Sequence, residues 1–239
     1  MKNFFTYSII TIQNFALFIF SILAIIFYNC FNFDFYKNFY EKENLASSIN
    51  TTSSELIDNT ENLLAYLKGN ASLNKNWFSD KDILHMVDVK HLYDVSFKVM
   101  IICLIIFFIT TIIIIITKKT KTLLYITKAF NKTLTIFILL ITILTGIITY
   151  NFNSFWIKFH TILFSNDLWL LSPDESNLIK MVPEEFFISL ITRIIIHIFI
   201  VFFLYLAILN KKDIKNIDKM LLEKYRNIKP LSKDYNNKE

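Results

Sequence analysis

The chain has 239 residues, of which 54% are hydrophobic and 25 are phenylalanine, and its mean hydropathy is +0.45. Its glycines number two, Gly69 and Gly146, far fewer than a soluble domain of this length carries. The composition therefore excludes an ordinary soluble globular domain and predicts a membrane protein. The formal net charge is +5, but no other feature indicates a nucleic-acid partner. We interpret this charge as a signal of membrane topology.

Four apolar stretches are each long enough to cross the hydrocarbon core of a membrane, which takes about 20 helical residues. They predict an α-helical polytopic membrane protein with four transmembrane helices, at residues 4–30, 99–117, 130–150 and 186–209. The remaining segments are 31–98, a basic loop at 118–129, 151–185 and a basic tail at 210–239. The first stretch is predicted to be an uncleaved anchor, because it is longer than the apolar core of a secretory signal and no cleavage site follows it.

The distribution of lysine and arginine predicts the orientation. Between residues 118 and 132 the chain has five lysines and no acidic residue, and the tail has nine basic residues against five acidic ones. Residues 31–95 instead have ten acidic residues against six basic ones. Because lysine and arginine collect on the cytoplasmic side of membrane spans, both termini are predicted to be cytoplasmic. Segments 31–98 and 151–185 would then form a small extracytoplasmic domain.

The first outer segment contains two helix-start signals. Thr52 and Glu55 are spaced as a capping box, opening an amphipathic helix that Gly69 would end. Ser79 and Asp82 mark a second start. In the second helix His85 and Asp88 share one face, with Asp82 one turn earlier, whereas His91 points roughly the opposite way.

The second outer segment begins with an aromatic stripe of the kind that lies in the headgroup layer, formed by Phe152, Phe155, Trp156, Phe159 and Leu163. His160 lies at the border of this stripe, and Trp156 and Trp169 are predicted to be interfacial anchors. Further on, Ser172 and Pro173 are spaced as the N-cap and first residue of a short helix that contains Leu178, Ile179 and Met181. Pro183 similarly starts the fourth predicted span.

Arg193 and His197 lie inside the fourth predicted span, four residues apart on one face. Ionisable groups inside a membrane are costly and are functional candidates by default. Arg193 would reach a lipid carbonyl or an acidic residue such as Glu184 or Glu185, or simply extend outward to the interface. For His197 we expect a buried contact with Gln13 or Asn14 of the first span.

No spacing of cysteine and histidine indicates a metal site, and the HExxH motif is absent from the sequence. Cys30 lies at the end of the first predicted span and Cys103 within the second, so a disulfide is not expected. We predict neither a metal nor a cofactor. The sequence does not predict an oligomeric state.

Two blocks carry a family resemblance. They are HMVDVK, from His85 to Lys90, and FHTILFSNDLWLLSPDESNLIKMVPEEFF, from Phe159 to Phe187. Together with the predicted topology they resemble the bacterial lipoprotein intramolecular transacylase family, four-span membrane proteins with an extracytoplasmic domain. The second block is long and specific, and the first is short. The resemblance runs from the first span to the end of the fourth, and the basic tail lies outside it.

The resemblance implies an enzyme of the bacterial cytoplasmic membrane with its active site on the outer face. Its substrate would be the N-terminus of a diacylated lipoprotein, surrounded by membrane lipid. The sn-2 acyl chain of the diacylglyceryl-cysteine would move onto the α-amino group of the same cysteine, giving the lyso form. The family uses a pair of histidines, and the matching blocks assign these roles to His85 and His160.

The chemistry of these residues fits such a transfer. One imidazole would accept the proton of the attacking amine and the other would donate to the developing oxyanion or the leaving oxygen; which does which stays open. Asp88 is a supporting candidate that would fix the tautomer of His85, as Asn166 or Asp167 would near His160. Arg193 completes the supporting candidates.

Each prediction has a structural alternative. His85 would otherwise be a surface histidine paired with Asp82 or Asp88, and His160 an interfacial one. A non-catalytic four-span accessory or sensor protein, binding a partner through its outer loops, is the alternative function. A transporter is less favoured, because the spans have neither paired breaks nor a repeat. The enzyme requires His85 and His160 to converge at the outer membrane surface, beside a lateral opening between the spans.

Overall fold

The structure is a computed structural model that describes residues 2–117 and 122–228, with side chains described for residues 4–117 and 126–208. Part of the predicted basic loop and the end of the predicted tail therefore lie outside the described residues. Within them every regular element is a helix. The helices are α1 Lys2–Cys30, α2 Phe33–Lys42, α3 Leu45–Ser48, α4 Ser53–Leu67, α5 Asp80–Ile116, α6 Thr122–Tyr150, α7 Phe152–Leu163, α8 Asn177–Met181 and α9 Glu184–Ile228.

Four of these helices are long and apolar enough to cross a membrane, which confirms the predicted fold class. The membrane-length stretches are Phe4–Cys30, Asp80–Ile116, Ile126–Tyr150 and Glu184–Ile208. Three helices extend beyond the predicted spans: α5 has 37 residues, α6 has 29 and α9 has 45. Neither glycine nor proline lies in the added segments, so nothing in them interrupts a helix. Part of the predicted basic loop is therefore the beginning of α6. The helix that carries His85 is therefore the same helix as the second span.

The chain divides into two compact units, Met1–Ile198 and Phe199–Glu239. The second unit contains the C-terminal part of α9, where the rings of Phe202 and Tyr205 stack with 6.3 Å between their centres. The site lies in the first unit.

In the membrane-length part of the first unit, α1 packs against α5 and α6. The Phe18 ring lies 5.2 Å from the rings of both Phe130 and Phe137 on α6. On the other side, the Gln13 amide donates a hydrogen bond of 2.6 Å to the Thr111 hydroxyl of α5. A polar pair of this kind satisfies groups that would otherwise be unpaired in hydrocarbon.

The two segments predicted to be extracytoplasmic, which we call the outer segments, share one hydrophobic core. Phe186, at the start of α9, lies 4.8 Å from the Tyr36 ring and 5.2 Å from the Phe39 ring of α2, measured between ring centres. The buried residues of this core are Tyr36, Phe39, Tyr40, Leu45, Leu56, Leu63, Leu64, Leu73, Trp77, Phe78, Met86, Leu178, Met181, Val182, Phe186 and Leu190. This core fixes the N-terminal end of α5 relative to α8.

The predicted capping box at the start of α4 is half formed. The Thr52 hydroxyl accepts the Glu55 N–H at 3.1 Å, as predicted. The Glu55 carboxylate instead accepts the Thr51 hydroxyl at 2.6 Å, because that neighbouring donor is within its reach. The end of the helix is as predicted: Gly69 has a φ of +79°, a conformation that glycine adopts without a steric penalty.

The predicted start of the short helix at Ser172 is wrong. α8 begins at Asn177, and its N-cap is Ser176, whose hydroxyl accepts the Ile179 N–H at 3.2 Å. Ser172 instead closes a turn, in which its hydroxyl accepts the Asp174 N–H at 3.3 Å and its carbonyl accepts the Ser176 N–H at 2.9 Å. Serine side chains stabilise turns as readily as helix starts, so its spacing from Glu175 does not separate the two outcomes.

Candidate active site

The site is organised by the start of α5, where a buried carboxylate connects both outer segments. Ser79 caps the helix at the predicted start and forms a capping box with Asp82, whose carboxylate accepts the Ser79 N–H at 3.0 Å. The other oxygen of Asp82 accepts the hydroxyl of Ser176, the N-cap of α8. Asp82 is 0% and Ser176 1% exposed, so this hydrogen bond is shielded from water. One carboxylate thus caps α5 and fixes α8.

Residues 164–176, which we call the strap, cross one face of α5. The Lys81 ammonium donates to the backbone carbonyl of Leu170, and the Asn166 amide donates to the Asp88 carboxylate at 2.9 Å. Lys81, His85 and Asp88 are spaced i, i+4 and i+7, so they share a face of the helix. His85 therefore lies between the two polar contacts that hold the strap.

The structure brings the two predicted histidines together. The rings of His85 on α5 and His160 on α7 are 6.2 Å apart between centres, with an angle of 35° between their planes. Both are buried, with 7% of His85 and 6% of His160 exposed. They come from different outer segments, 75 positions apart in the numbering of the chain. The convergence on which the enzyme hypothesis depends is present.

His160 has a defined tautomer. Its Nδ1 is 2.8 Å from the backbone carbonyl of Trp156, and a carbonyl can only accept, so Nδ1 carries the hydrogen. In the neutral ring Nε2 is then left with a free lone pair. Burial lowers the pKa of His160 below its ordinary value of 6.5, while the hydrogen bond to Trp156 opposes that shift. His160 is therefore held neutral, with a proton acceptor available.

Aromatic rings surround His160. Trp169 of the strap stacks on it with 4.9 Å between ring centres and 28° between the planes. Trp156 meets it edge-on at 4.5 Å, and Phe164 lies 5.7 Å away. We predicted both tryptophans to be interfacial anchors, but they contact the histidine directly. Their rings limit the access of water to the site.

His85 has an uncommitted nitrogen. Its Nδ1 is buried and has no hydrogen-bond partner among the described residues. The ring contacts Phe164 edge-on at 5.4 Å, so one phenylalanine of the strap touches both histidines. Asp88, the expected partner of His85, is bonded to Asn166. A buried polar atom without a partner is rare and indicates strain or function.

The other candidates lie further from the pair. In the strap, the backbone carbonyl of Asp167 accepts the Leu170 N–H at 3.1 Å, while its side chain is exposed. Arg193 is half-buried, with its Cζ 5.2 Å from the centre of the Phe35 ring. The ion pairs formed by described residues do not include one from Arg193 to Glu184 or Glu185.

His197 and His91 are separate from the pair. The ring of His197 lies 6.1 Å from that of Tyr28 near the C-terminal end of α1. Of its two expected partners, Gln13 donates to the Thr111 hydroxyl instead, and the buried amide nitrogen of Asn14 has no hydrogen-bond partner among the described residues. His91 is exposed. Both cysteines, Cys30 and Cys103, are free.

Sequence reasoning missed three residues of the site. Trp156 lies four residues before His160 on the same helix, and this spacing places the two side chains on one face. That signal was available. Trp169 and Ser176 reach the site only through the path of the strap, for which the sequence contains no periodic pattern.

Asp88 and Asn166 are expected to act together, through the hydrogen bond between them. If it holds the strap over the histidines, Asp88→Ala and Asn166→Ala should each slow acyl transfer, and the double variant should be no slower than the worse single one. The coupling energy expected for an exposed charge-assisted hydrogen bond is about 0.5–1.5 kcal/mol. The initial rates of the unsubstituted protein, the two single variants and the double variant give this coupling energy. Additive effects would show that the two residues act independently.

The model of the family described as lipoprotein intramolecular transacylase Lit matches residues 11–187, well over half of the chain. No curated protein sequence matches the chain.

Solved structures of the membrane integral lipoprotein intramolecular transacylase Lit from Bacillus cereus share the fold. One is 24% identical, has a TM-score of 0.75, and covers 88% of this chain and 98% of its own. Another, in which a histidine is replaced by alanine, is 23% identical with a TM-score of 0.73, covering 90% of this chain and 96% of its own. From the family match we conclude that the chain belongs to the lipoprotein intramolecular transacylases, membrane enzymes that form lyso-form lipoproteins by intramolecular acyl transfer.

Proposed function

We propose that His85 and His160 are the catalytic residues of this transacylase, acting on the N-terminal cysteine of a diacylated lipoprotein. The sn-2 acyl chain of the diacylglyceryl group moves to the α-amino group of the same cysteine. The observation that carries the proposal is the approach of two buried imidazoles to 6.2 Å between ring centres. A purely structural histidine pair would not require an uncommitted acceptor on one ring and an unpaired nitrogen on the other.

His160 is the general base in this scheme. Its Nε2 accepts a proton from the amine as the amine nitrogen attacks the carbonyl carbon of the sn-2 ester. The bond formed is N–C, the bond broken is the ester C–O, and the proton lost by the amine is returned to the departing sn-2 oxygen. The hydrogen bond from Nδ1 to the Trp156 carbonyl supports this role, because it stabilises the imidazolium that forms.

His85 is the electrophilic partner. In the tautomer with hydrogen on Nδ1, it donates to the oxyanion of the tetrahedral intermediate or to the leaving oxygen. Leaving a buried donor without a partner costs about 1–3 kcal/mol, a cost that an incoming substrate oxygen would remove. The unpaired Nδ1 of His85 supports this division of roles.

The site faces the outer side of the cytoplasmic membrane in our proposal, with both termini of the chain on the inner side. The support is the excess of lysine and arginine around residues 118–132 and in the tail, opposed by the acidic outer segments. The exposed side chains of Phe159, Ile162 and Leu163 on α7 also suit a helix lying in the headgroup layer.

The position of the acyl chain on a lipoprotein tests the proposed function. The chain would be expressed in a bacterium whose lipoproteins are diacylated, and N-terminal lipopeptides would be analysed by mass spectrometry. We expect one acyl chain on the amino group and one on the glycerol, with no change in total mass. A mass increase would instead indicate acylation from a separate donor, and unchanged diacylglyceryl-cysteine would contradict the proposal.

The lowered pKa of His160 predicts the shape of the pH profile. The attacking amine must be neutral, so the logarithm of the rate should fall with a slope of one below about pH 8. When His160 also becomes protonated the slope should increase to two, and burial places that second break below 6.5. Initial rates between about pH 5 and about pH 9 measure both breaks. The residual activity of His160→Ala should lose the second break. A second break above pH 6.5 in the unsubstituted protein would contradict the assignment.

A further inference from the structure

The proposed base becomes charged in a place that disfavours charge. When His160 accepts the proton of the attacking amine, its ring becomes an imidazolium, yet the residue is only 6% exposed. Moving a charge out of water is unfavourable unless the surroundings compensate for the lost hydration. The hydrogen bond to the Trp156 carbonyl compensates at Nδ1, in the plane of the ring. Compensation at the faces of the ring is left to its other neighbours.

The charged side chains around His160 are engaged elsewhere or exposed. The ring of His85 is itself neutral, because burial, and then the neighbouring His160, lower its pKa to about 4. On the same helix, Lys81, Asp82 and Asp88 are hydrogen-bonded to the strap. The charged side chains of α7, of the strap and of the first turn of α9 are exposed, so water screens them: Lys158, Asp167, Asp174, Glu175, Glu184 and Glu185.

Trp169 presents the face of its indole to the face of the His160 ring. The ring centres are 4.9 Å apart and the planes differ by 28°. Trp156 meets the same ring at a steep angle of 67°, and Phe164 lies farther away, at 5.7 Å. The face of an aromatic ring is its negative side, and a cation within about 6 Å of the face of a tryptophan is attracted to it. Of these three rings, that of Trp169 is therefore the best placed for a cation–π interaction with the imidazolium.

The backbone of the strap fixes Trp169 from both sides. Before it in the chain, the Leu168 N–H donates to the side-chain oxygen of Asn166 at 3.1 Å. After it, the Leu170 carbonyl accepts a hydrogen bond from the Lys81 ammonium. The indole is half-buried and is not among the residues that form the outer core. Its position over His160 is therefore set by the path of the strap and not by packing in that core.

We propose that Trp169 is a positioning residue of the acyl transfer, whose indole face stabilises the imidazolium formed when His160 accepts the proton of the attacking amine. This inference rests on the proposed function of His160. The proton moves from the amine nitrogen to Nε2 and then to the departing sn-2 oxygen, and Trp169 neither gains nor loses an atom or an electron. Its contribution is electrostatic, because it offsets part of the cost of a buried charge.

A residue that merely covers the ring would have the opposite effect on the pKa of His160. If Trp169 only excluded water, its removal would let water solvate the imidazolium and would raise the pKa toward its ordinary value of about 6.5. If the indole face stabilises the imidazolium, an apolar side chain without a π-face lowers the pKa. The sign of the change therefore separates the two roles.

Titration of the His160 ring measures this sign without any substrate. The histidine rings would carry an isotope label, and NMR would follow the signal that is missing from His160→Ala between about pH 4 and about pH 9. Trp169→Leu should lower the pKa of His160, and Trp169→Phe, which keeps a smaller π-face, should lower it less. Leu170→Ala alters an exposed side chain of the same strap and should leave the pKa unchanged. A constant or raised pKa in Trp169→Leu would overturn the proposal.

Fluorinated tryptophan repeats the test with almost no change in packing. Fluorine withdraws electron density from the indole face, so it weakens a cation–π interaction. Fluorotryptophan would replace all three tryptophans of the chain during expression. We expect the pKa of His160 to fall in the unsubstituted chain and not in Trp169→Phe, which controls for the fluorinated Trp156. An equal change in both proteins would overturn the proposal.

Kinetics connect the interaction to the reaction. Trp169→Leu should lower kcat by about 3–10-fold with little change in KM, and Trp169→Phe should recover part of the loss. The second break of the pH profile should move to lower pH in Trp169→Leu. An unchanged kcat despite a lowered pKa would overturn the role of Trp169 in the transfer. Failure of the proposed function itself is recognised separately, by near-normal activity of His160→Ala.

Discussion

Replacing His160 by alanine is expected to lower the rate of acyl transfer by about 10²–10⁴-fold, the range for losing a general base. The reason lies in its geometry: the hydrogen bond to the Trp156 carbonyl leaves Nε2 as the acceptor, and burial keeps the ring neutral. Conversion of a diacylated lipopeptide to its lyso form, followed by mass spectrometry on the purified protein, measures the effect. His85→Ala should cause a loss of similar order, because the oxyanion would lose its donor.

The chain offers a matched control for these variants. His91 is on the same helix as His85 but is exposed and points away from the site. His91→Ala should therefore convert substrate at the rate of the unsubstituted protein, and all three variants should insert into membranes in equal amounts. Near-normal conversion by both His85→Ala and His160→Ala would remove the pair from the mechanism. A loss in His91→Ala as large as in the other two would indicate damage to the helix.

The class of fold could be predicted from the sequence because the membrane imposes a simple requirement. Backbone groups cannot remain unpaired in hydrocarbon, so an apolar run of sufficient length is a helix. The hydropathy pattern locates the apolar part of a helix, but it does not show where the helix ends when it continues outside the hydrocarbon. Between Ser79 and Ile116 the chain has no breaker, and the helix with the capping box at Asp82 continues directly into the span.

The site could be predicted only in part. His85 and His160 came from two sequence blocks that resemble the family, and Trp156 could have been inferred from its spacing to His160. The partners supplied by the strap could not, since they depend on a non-helical path fixed by Lys81, Asp82 and Asp88. Asn166 shows the difficulty: the sequence predicts it as a supporting residue near His160, yet its amide is bonded to Asp88.

Membership in the transacylase family shows that the chain is an enzyme and not a non-catalytic accessory protein. The structure adds a physical reason for the same choice. A binding surface would present its polar groups to a partner, whereas His85 and His160 are enclosed by Trp156, Phe164 and Trp169. An apolar enclosure that limits water also favours transfer to an amine over hydrolysis of the ester.

Asp82→Ala is expected to destabilise the outer domain by about 2–4 kcal/mol, because several losses coincide. The variant removes the acceptor of the Ser79 N–H and of the Ser176 hydroxyl, both in a site where Asp82 is fully buried. It also frees the end of the strap that leads to α8. Since Trp169 and Phe164 lie in that strap, acyl transfer should slow as well.

Two measurements separate these effects. Thermal unfolding of the outer domain can be followed by the fluorescence of its three tryptophans, of which Trp77 lies in its core. Hydrogen exchange of the strap amides reports its release from α5. Asp80→Ala is the matched control, because Asp80 occupies the same first turn of α5 but is exposed. Any contribution from the helix dipole is common to both residues and amounts to less than about 1 kcal/mol at an exposed position.

Asp82→Asn distinguishes the two roles of the carboxylate. The amide oxygen can still accept the Ser176 hydroxyl, while its NH₂ group meets the Ser79 N–H, a second donor. This variant should therefore keep the strap protected from exchange and lose mainly the capping of α5, with an intermediate unfolding temperature. If Asp82→Ala unfolded at the temperature of Asp80→Ala, the buried carboxylate would not be what joins the outer segments. The histidine pair would then depend on the apolar core alone for its geometry.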